Sequence, residues 1–162
     1  MFKFFIFSSV YIKMPSRNNA LSNFDIMDII HSQGVDDFQG VFMKDQLPDK
    51  LERGSYVINL QSSKEGNGTH WVCLYYTPNF SYYYDSYGFI APLEVQNKIT
   101  PYMYNDLEIQ DIDSTACGFY CVAFILYLNK KMNIEKAFME FINLFGKDTE
   151  RNEAILYQIL YK

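Results

Sequence analysis

Hydrophobic residues recur at helical spacing near the start of the chain. Ser22 can cap the N-terminus of a helix that runs to about Ser32, and Gly34 can end it. The buried stripe of this helix is predicted to be Ile26, Ile29 and Ile30. One face of the helix is therefore expected to pack against the rest of the protein.

The middle of the chain has the spacing and composition of β-strands. Three runs rich in aromatic and β-branched residues are predicted to be strands, namely 55–60, 70–76 and 82–87. The last two runs are separated by a turn at Pro78-Asn79. A short helix is predicted around residues 93–102, and a final strand at residues 107–110.

The C-terminal third predicts helices. Residues 118–128 are apolar on nearly every side, which is typical of a helix in the centre of a protein. Two amphipathic helices follow, one from Asn133 to Gly146 and one over about residues 150–161. The pattern predicts an α+β domain in which a central mixed or antiparallel sheet packs around the buried helix, flanked by further helices.

Composition and charge narrow the class of protein. The 162 residues fit one domain, and the net charge of −5 gives no general attraction to nucleic acid or to an anionic membrane. No apolar run approaches the ~18 residues of a membrane span. Three cysteines are too few for a secreted disulfide framework, so we expect free thiols in a reducing compartment. Met14 is a second candidate start, which would leave residues 1–13 as a loosely attached or untranslated extension.

Cys117 is the candidate nucleophile because it begins the buried helix. It follows residues 113–115, Asp-Ser-Thr, which can form an N-cap. Backbone N–H groups at that end stabilise a thiolate and can also receive an oxyanion. Gly118 would let a substrate backbone approach, whereas Cys121, one turn further on, is expected to be an inert core thiol.

A cysteine nucleophile needs a base within hydrogen-bond reach, and the sequence has two histidines. His31 lies near the end of the first predicted helix, where the helix dipole explains it without a catalytic role. His70 begins a strand directly after a glycine-rich loop, which places its side chain at the rim of a sheet. His70 is therefore the candidate base.

Asp85 can orient His70, depending on the hairpin register. A turn centred between Thr77 and Pro78 would place the two residues opposite each other, and one centred between Pro78 and Asn79 would make them diagonal neighbours on one face. Either register lets the carboxylate hold one imidazole nitrogen, whereas a three-residue loop would separate the pair. Asp85 could instead be a strand-end residue that only forms structural hydrogen bonds.

Gln110 lies seven residues before Cys117, at the end of a predicted strand. Its amide is the kind of donor that completes an oxyanion hole, although a glutamine at a strand end is commonly just solvated. A zinc site is the rival interpretation, with the four ligands His70, Cys73, Cys117 and Cys121. We favour catalysis because His70 and Cys73 face opposite sides of a strand, which is unlike the tight turns of structural zinc sites.

Taken together, these segments resemble the adenovirus maturation protease family, the adenains, and their clan, which includes the SUMO and ubiquitin-like-protein-specific cysteine proteases. The order His, Asp, Gln, Cys and the His-Trp pair match that family. The matching segments are Gly68-Thr69-His70-Trp71-Val72, Tyr84-Asp85-Ser86-Tyr87-Gly88, Gln110, and residues 113–121, Asp-Ser-Thr-Ala-Cys-Gly-Phe-Tyr-Cys. Residues 38–48 resemble a segment of relatives encoded by virophages and Polinton-type elements.

The resemblance implies an adenain-like fold, with residues 14–162 as a single cysteine protease domain. It implies Cys117 as nucleophile, His70 as general base and Asp85 as the group that orients His70. Gln110 and the backbone N–H of the nucleophile would form the oxyanion hole. A second implied role concerns the substrate, since the family's His-Trp pair places a tryptophan, here Trp71, in the wall of the narrow channel that holds substrate glycines.

Two departures from the family bear on partners. The chain is acidic, with an isoelectric point near 5.0, and no cysteine matches the position where an activating peptide attaches, which argues against activation by DNA or a peptide. The chain also lacks the long extensions by which cellular deconjugases recognise ubiquitin-like partners.

We therefore expect a monomer, without cofactor, metal or membrane, that cleaves capsid or core precursors at glycine-containing sites. Its expected location is the virion and the cytoplasm or viral factory of the infected cell. A SUMO or ubiquitin-like deconjugating enzyme and a catalytically inert interaction module are the alternatives.

Overall fold

The computed structural model describes residues 14–66 and 68–161. In chain order its elements are α1 (Asn23–Ser32), β1 (Phe38–Met43), β2 (Gly54–Asn59), β3 (Trp71–Tyr76), β4 (Ser81–Tyr84), α2 (Leu93–Ile99), β5 (Tyr102–Tyr104), α3 (Cys117–Asn129), α4 (Ile134–Ile142) and α5 (Thr149–Leu160). The expectation for residues 1–13 lies outside the described residues. No helix in the described part is long and apolar enough to cross a bilayer.

The five strands form one mixed sheet in the order β1-β2-β3-β4-β5. The central strand β3 is antiparallel to both of its neighbours, β2 and β4, whereas β1 is parallel to β2 and β5 is parallel to β4. The mixed sheet and the five helices confirm the α+β class predicted from the hydrophobic pattern.

The buried helix α3 occupies the larger core, on one face of the sheet. Because α3 is apolar on all sides, it can be enclosed by β3, α1, α4 and α5 at once. The rings of Tyr84 and Phe124 stack with centroids 5.1 Å apart, which brings the sheet and α3 into direct contact. Alternate residues of β3, such as Val72 and Leu74, point to a second cluster on the opposite face, which α2 covers.

The strand predicted at residues 107–110 is wrong, and the last strand is β5 instead. The N–H groups of Ile109 and Gln110 both donate to the carbonyl oxygen of Ser86, which is not a ladder pattern. The Nδ2 of Asn152 donates to the carbonyl oxygen of Ile109 at 3.0 Å. The backbone carbonyl of Ser86 and the side chain of Asn152 therefore hold this segment in place of strand pairing.

Three other element ends differ from the pattern. The strand predicted over residues 82–87 ends at Tyr84, the helix predicted around residues 93–102 ends at Ile99, and α4 ends at Ile142 instead of continuing to Gly146. The backbone N–H and carbonyl of Gly146 bond to the side chain of Asn152 at 2.8 and 2.7 Å. This clamp holds the chain in a non-helical conformation before α5.

Candidate active site

Cys117 is the first residue of α3 and is 8% exposed. The N-cap predicted at residues 113–115 is wrong, since Ala116 occupies the cap position and forms no side-chain cap hydrogen bond. The hydroxyl of Ser114 instead donates to Glu153 Oε2 at 2.9 Å, which turns it toward α5. In the described part of the chain no acceptor engages the N–H groups of Cys117 and Gly118, so both are free to bind an anion.

His70 and Asp85 are in direct contact, with His70 Nε2 2.7 Å from Asp85 Oδ1. The β3–β4 ladder pairs Cys73 with Tyr84, which corresponds to a turn centred between Pro78 and Asn79. Of the two registers that permitted the contact, the structure has the one in which His70 and Asp85 are diagonal neighbours. Both side chains are buried, with exposures of 10% and 1%.

The surroundings of His70 favour the protonated form of its imidazole. Burial lowers its pKa, but the hydrogen bond that Nε2 donates to Asp85 and the interaction with Cys117 outweigh that effect and raise the pKa to about 9. His70 Nδ1 forms no hydrogen bond of good geometry with the described residues, although Cys117 lies close enough to act on the ring. With Nε2 occupied by Asp85, Nδ1 is the nitrogen available to the thiol.

The carboxylate of Asp85 is fixed by neighbours that the sequence did not single out. Asp85 Oδ1 also accepts from the backbone N–H of Tyr87 at 2.8 Å. The backbone of Asp85 is clamped by Asn105, whose Oδ1 accepts from the Asp85 N–H at 3.0 Å and whose Nδ2 donates to the Asp85 carbonyl at 2.5 Å. Because the strand has already ended, this side-chain clamp takes the place of ladder hydrogen bonds.

Tyr87 covers the imidazole of His70. The two rings are stacked, with centroids 4.1 Å apart and an interplanar angle of 14°. The sequence analysis assigned no role to Tyr87, although it lies two residues after Asp85. The hairpin register places Tyr87 opposite His70, and this register is the signal from which the contact could have been predicted.

Gln110 is fully buried beneath the loop that leads to Cys117. Its Oε1 accepts from the hydroxyl of Ser86 at 2.6 Å, and its Nε2 donates to the carbonyl oxygen of Ser114 at 2.8 Å. The Ser86 hydroxyl can only donate to the oxygen end of the amide, so it fixes which way the amide points. One N–H of Nε2 supports the loop and the other has no partner in the described residues.

Trp71 lines the candidate site, and its indole N–H donates to the carbonyl oxygen of Leu21 at 3.0 Å. Gly118 lies below this wall instead of on the groove surface. A Cβ at position 118 would lie 2.9 Å from Leu21 Cβ and 3.4 Å from Trp71 Cδ1. The structure therefore gives Gly118 a packing role, in which its missing side chain makes room for Leu21 and Trp71.

An open groove of about 790 Å³ runs past Cys117. It is lined by residues from the beginning of α1, the end of β1, the loop before β3, Tyr87 and residues 112–115. Asp113 is the one charged residue among the described residues that line it. Cys117 thus lies on the surface of a largely uncharged groove, and His70 lies behind Tyr87.

The other two thiols lie in the core. Cys73 and Cys121 are at most 1% exposed, and burial raises the pKa of both. Within residues 14–66 and 68–161, no group of three or more His, Cys, Asp or Glu side chains is arranged to hold a metal ion. The ligand set of the rival zinc interpretation is accordingly not assembled in one place.

Searches of protein-family models and of curated proteins found no match to this chain.

Proposed function

We propose that the protein is a cysteine endopeptidase with Cys117 as nucleophile, His70 as general base and Asp85 as the residue that orients the base. The contact of His70 with Asp85, beside a thiol at the N-terminus of α3, is the observation that carries this proposal. Nucleophile, base and orienting acid on three separate elements are the arrangement that activates a weak nucleophile.

In the proposed reaction, His70 Nδ1 takes the proton of the Cys117 thiol, and Sγ attacks the carbonyl carbon of a substrate peptide bond. The negative charge on the substrate oxygen is stabilised by the backbone N–H of Cys117 and the second N–H of Gln110 Nε2. The imidazolium then gives its proton to the leaving amine, and the C–N bond breaks. The product of this half-reaction is a thioester between Cys117 and the N-terminal part of the substrate.

Water completes the cycle. His70 removes a proton from a water molecule, which attacks the thioester carbonyl carbon, and the carboxylic acid leaves as the Cys117 sulfur departs and is reprotonated. Asp85 retains its charge throughout and stabilises the imidazolium at both steps. The raised pKa of His70, about 9, is the direction that this stabilisation requires.

The proposed substrates are capsid or core precursor proteins of a virus, cleaved at glycine-containing sites in the virion or the cytoplasm or viral factory of the infected cell. The resemblance of residues 68–128 to the adenains supports this choice. A groove of about 790 Å³ that is lined almost entirely by uncharged residues suits a peptide segment bound in extended form. Trp71, in the groove wall beside Cys117, favours small residues at the cleaved bond because an aromatic wall narrows the channel.

Incubation of the intact chain with candidate capsid precursors encoded in the same genome tests the proposal, with ubiquitin and SUMO fusions in parallel. The wild type should cut a capsid precursor, Cys117→Ala should not, and Cys121→Ala should retain cleavage because Cys121 lies in the core. Cleavage of the ubiquitin or SUMO fusions alone would identify a deconjugating enzyme. Equal cleavage by wild type and Cys117→Ala, or no cleavage of any of these proteins, would refute the proposal.

A further inference from the structure

Asn59 is the last residue of β2 and is 1% exposed, yet it lines the groove that contains Cys117. Its Oδ1 accepts hydrogen bonds from the backbone N–H groups of Gln61 and Thr69, both at 3.0 Å. Its Nδ2 donates to no residue in the described part of the chain. One end of the amide therefore holds the loop, and the other end is an unused donor.

The sheet register places this donor on the same side as the nucleophile. Asn59 is directly opposite Trp71 in the β2–β3 ladder, so their side chains lie on one face of the sheet. Trp71 packs toward Gly118 in the first turn of α3, next to Cys117. The amide of Asn59 thus lies on the groove surface beside the wall that Trp71 forms.

Gly68 keeps the amide uncovered. Its φ is +120°, a conformation that side chains rarely adopt, and a Cβ at this position would lie 2.7 Å from Asn59 Nδ2. Any other residue at position 68 would push against the amide nitrogen. The glycine therefore leaves Nδ2 without a competing side chain.

We propose that Asn59 Nδ2 donates a hydrogen bond to a backbone carbonyl of the peptide bound in the groove. This inference rests on the proposed peptidase function and adds a binding residue to it. The Asn59 side chain is almost fully buried and its Oδ1 is anchored, so Nδ2 is a donor held in position at the groove surface, and a ligand that supplies the acceptor gains this hydrogen bond without having to order the side chain. An uncharged donor suits a peptide carbonyl, which is present whatever the side chains of the substrate are.

Asn59→Asp tests this role because aspartate has the same shape, keeps an oxygen for the Gln61 and Thr69 N–H groups, and replaces the donor with a second, negatively charged acceptor. The matched control is Gln61→Glu. Gln61 Oε1 accepts from the Gly68 N–H at 2.7 Å, so this change adds the same charge to the same loop and also keeps its acceptor. Thermal unfolding of both variants shows whether the loop is still held.

Two neutral probes of Cys117 separate binding from reactivity. Acetyl-Ala-Ala-Gly vinyl sulfone carries a peptide backbone, and the Cys117 sulfur adds to its vinyl β-carbon to form a thioether while the α-carbon takes up a proton. Iodoacetamide has no peptide backbone, and the sulfur displaces its iodide. Asn59→Asp should be inactivated by the vinyl sulfone about 3–10-fold more slowly than Gln61→Glu, as expected for the loss of one hydrogen bond. The two variants should react with iodoacetamide at the same rate.

The outcomes distinguish this inference from the proposed function. A wild-type protein that the vinyl sulfone does not label at Cys117 contradicts the peptidase proposal and this inference with it. If the vinyl sulfone labels wild-type Cys117 and inactivates Asn59→Asp and Gln61→Glu at equal rates, the role of Asn59 alone is overturned. The same conclusion follows if Asn59→Asp reacts more slowly by the same factor with both probes. If Asn59→Asp fails to fold, reduced-amide probes that lack one carbonyl at a time are compared on the wild type. One of them should react about 3–10-fold more slowly, and unchanged rates for all of them would overturn the role.

Discussion

The ring of Tyr87 lies flat against the imidazole of His70, with centroids 4.1 Å apart, while the backbone N–H of Tyr87 donates to Asp85 Oδ1. Tyr87 therefore contacts the base through its side chain and the orienting acid through its backbone. An aromatic face stabilises a neighbouring cation, so the stacking favours the protonated form of His70.

Replacement of Tyr87 by leucine should reduce turnover about 3–10-fold, because the imidazolium loses its aromatic neighbour and part of its orientation. Tyr87→Phe keeps the ring and should stay within about twofold of the wild type. The measurement is kcat as a function of pH, in which the alkaline limb of Tyr87→Leu should move to lower pH. Identical pH profiles for the leucine and phenylalanine variants would show that the stack does not act on the base.

Asp85→Asn should shift the alkaline limit of activity to lower pH. The wild type needs the His70 proton, which is lost as pH rises through a pKa of about 9. Asp85 raises the pKa of His70, and burial lowers it. Without the Asp85 charge, the effect of burial is less opposed, so the pKa of His70 should fall. The pH dependence of kcat/KM measures the shift, and activity at neutral pH should fall by roughly 10²-fold or more. An alkaline limb at the same pH in both proteins would contradict the assignment.

The same raised pKa predicts how stability depends on pH. A group whose pKa is higher in the folded state stabilises the fold fully below its unfolded value, ~6.5, and loses that contribution as pH rises through the folded value. The free energy of unfolding of the wild type should therefore fall between about pH 6.5 and pH 9. Denaturant titrations at these two pH values should show a smaller fall in the free energy of unfolding for His70→Ala than for the wild type. An equal fall in both proteins would show that His70 is not the source of the pH dependence.

Gln110→Glu should lower kcat about 10²–10³-fold with little change in KM, because the carboxylate keeps an acceptor for Ser86 but provides no donor to the oxyanion or to the Ser114 carbonyl. Ser86→Ala is the milder comparison, since it removes only the hydroxyl that fixes the orientation of the amide. A loss confined to KM in Gln110→Glu would place Gln110 in substrate binding instead of transition-state stabilisation.

Gly118→Ala should destabilise the protein by about 1–3 kcal/mol, because its Cβ would lie 2.9 Å from Leu21 Cβ. Gly146→Ala is the control, since a Cβ there meets nothing within 4 Å and its φ needs no glycine. Trp71 is the single tryptophan of the chain, so its fluorescence reports on this contact directly. Unfolding midpoints and an emission spectrum that match for the two variants would contradict the packing role of Gly118.

Local patterns in the sequence carried much of the fold. The central position of α3 follows from its uniform hydrophobicity, and the hairpin turn at Pro78-Asn79 limited His70 and Asp85 to a few registers, one of which the structure has. Both predictions depend on residues that are close together in the sequence, and the geometry of helices and hairpins constrains residues over such short separations.

Contacts between distant residues could not be predicted in the same way. Asn105 fixes the backbone of Asp85, and Asn152 anchors the segment that was wrongly predicted as a strand. The side chain of Ser114, in the segment wrongly predicted to be an N-cap, likewise bonds to Glu153 on another helix. In each case a polar side chain bonds to a part of the chain that only the folded structure brings near.

The rate at which each cysteine is alkylated by iodoacetamide near pH 7 tests the central pairing of Cys117 with His70. The rates are resolved by mass spectrometry of peptides from the wild type and from His70→Ala. Cys117 should react fastest in the wild type and lose that advantage in His70→Ala, while Cys73 and Cys121 react slowly in both proteins because they are buried. Three equally slow thiols in the wild type, or a Cys117 rate that does not depend on His70, would contradict the account.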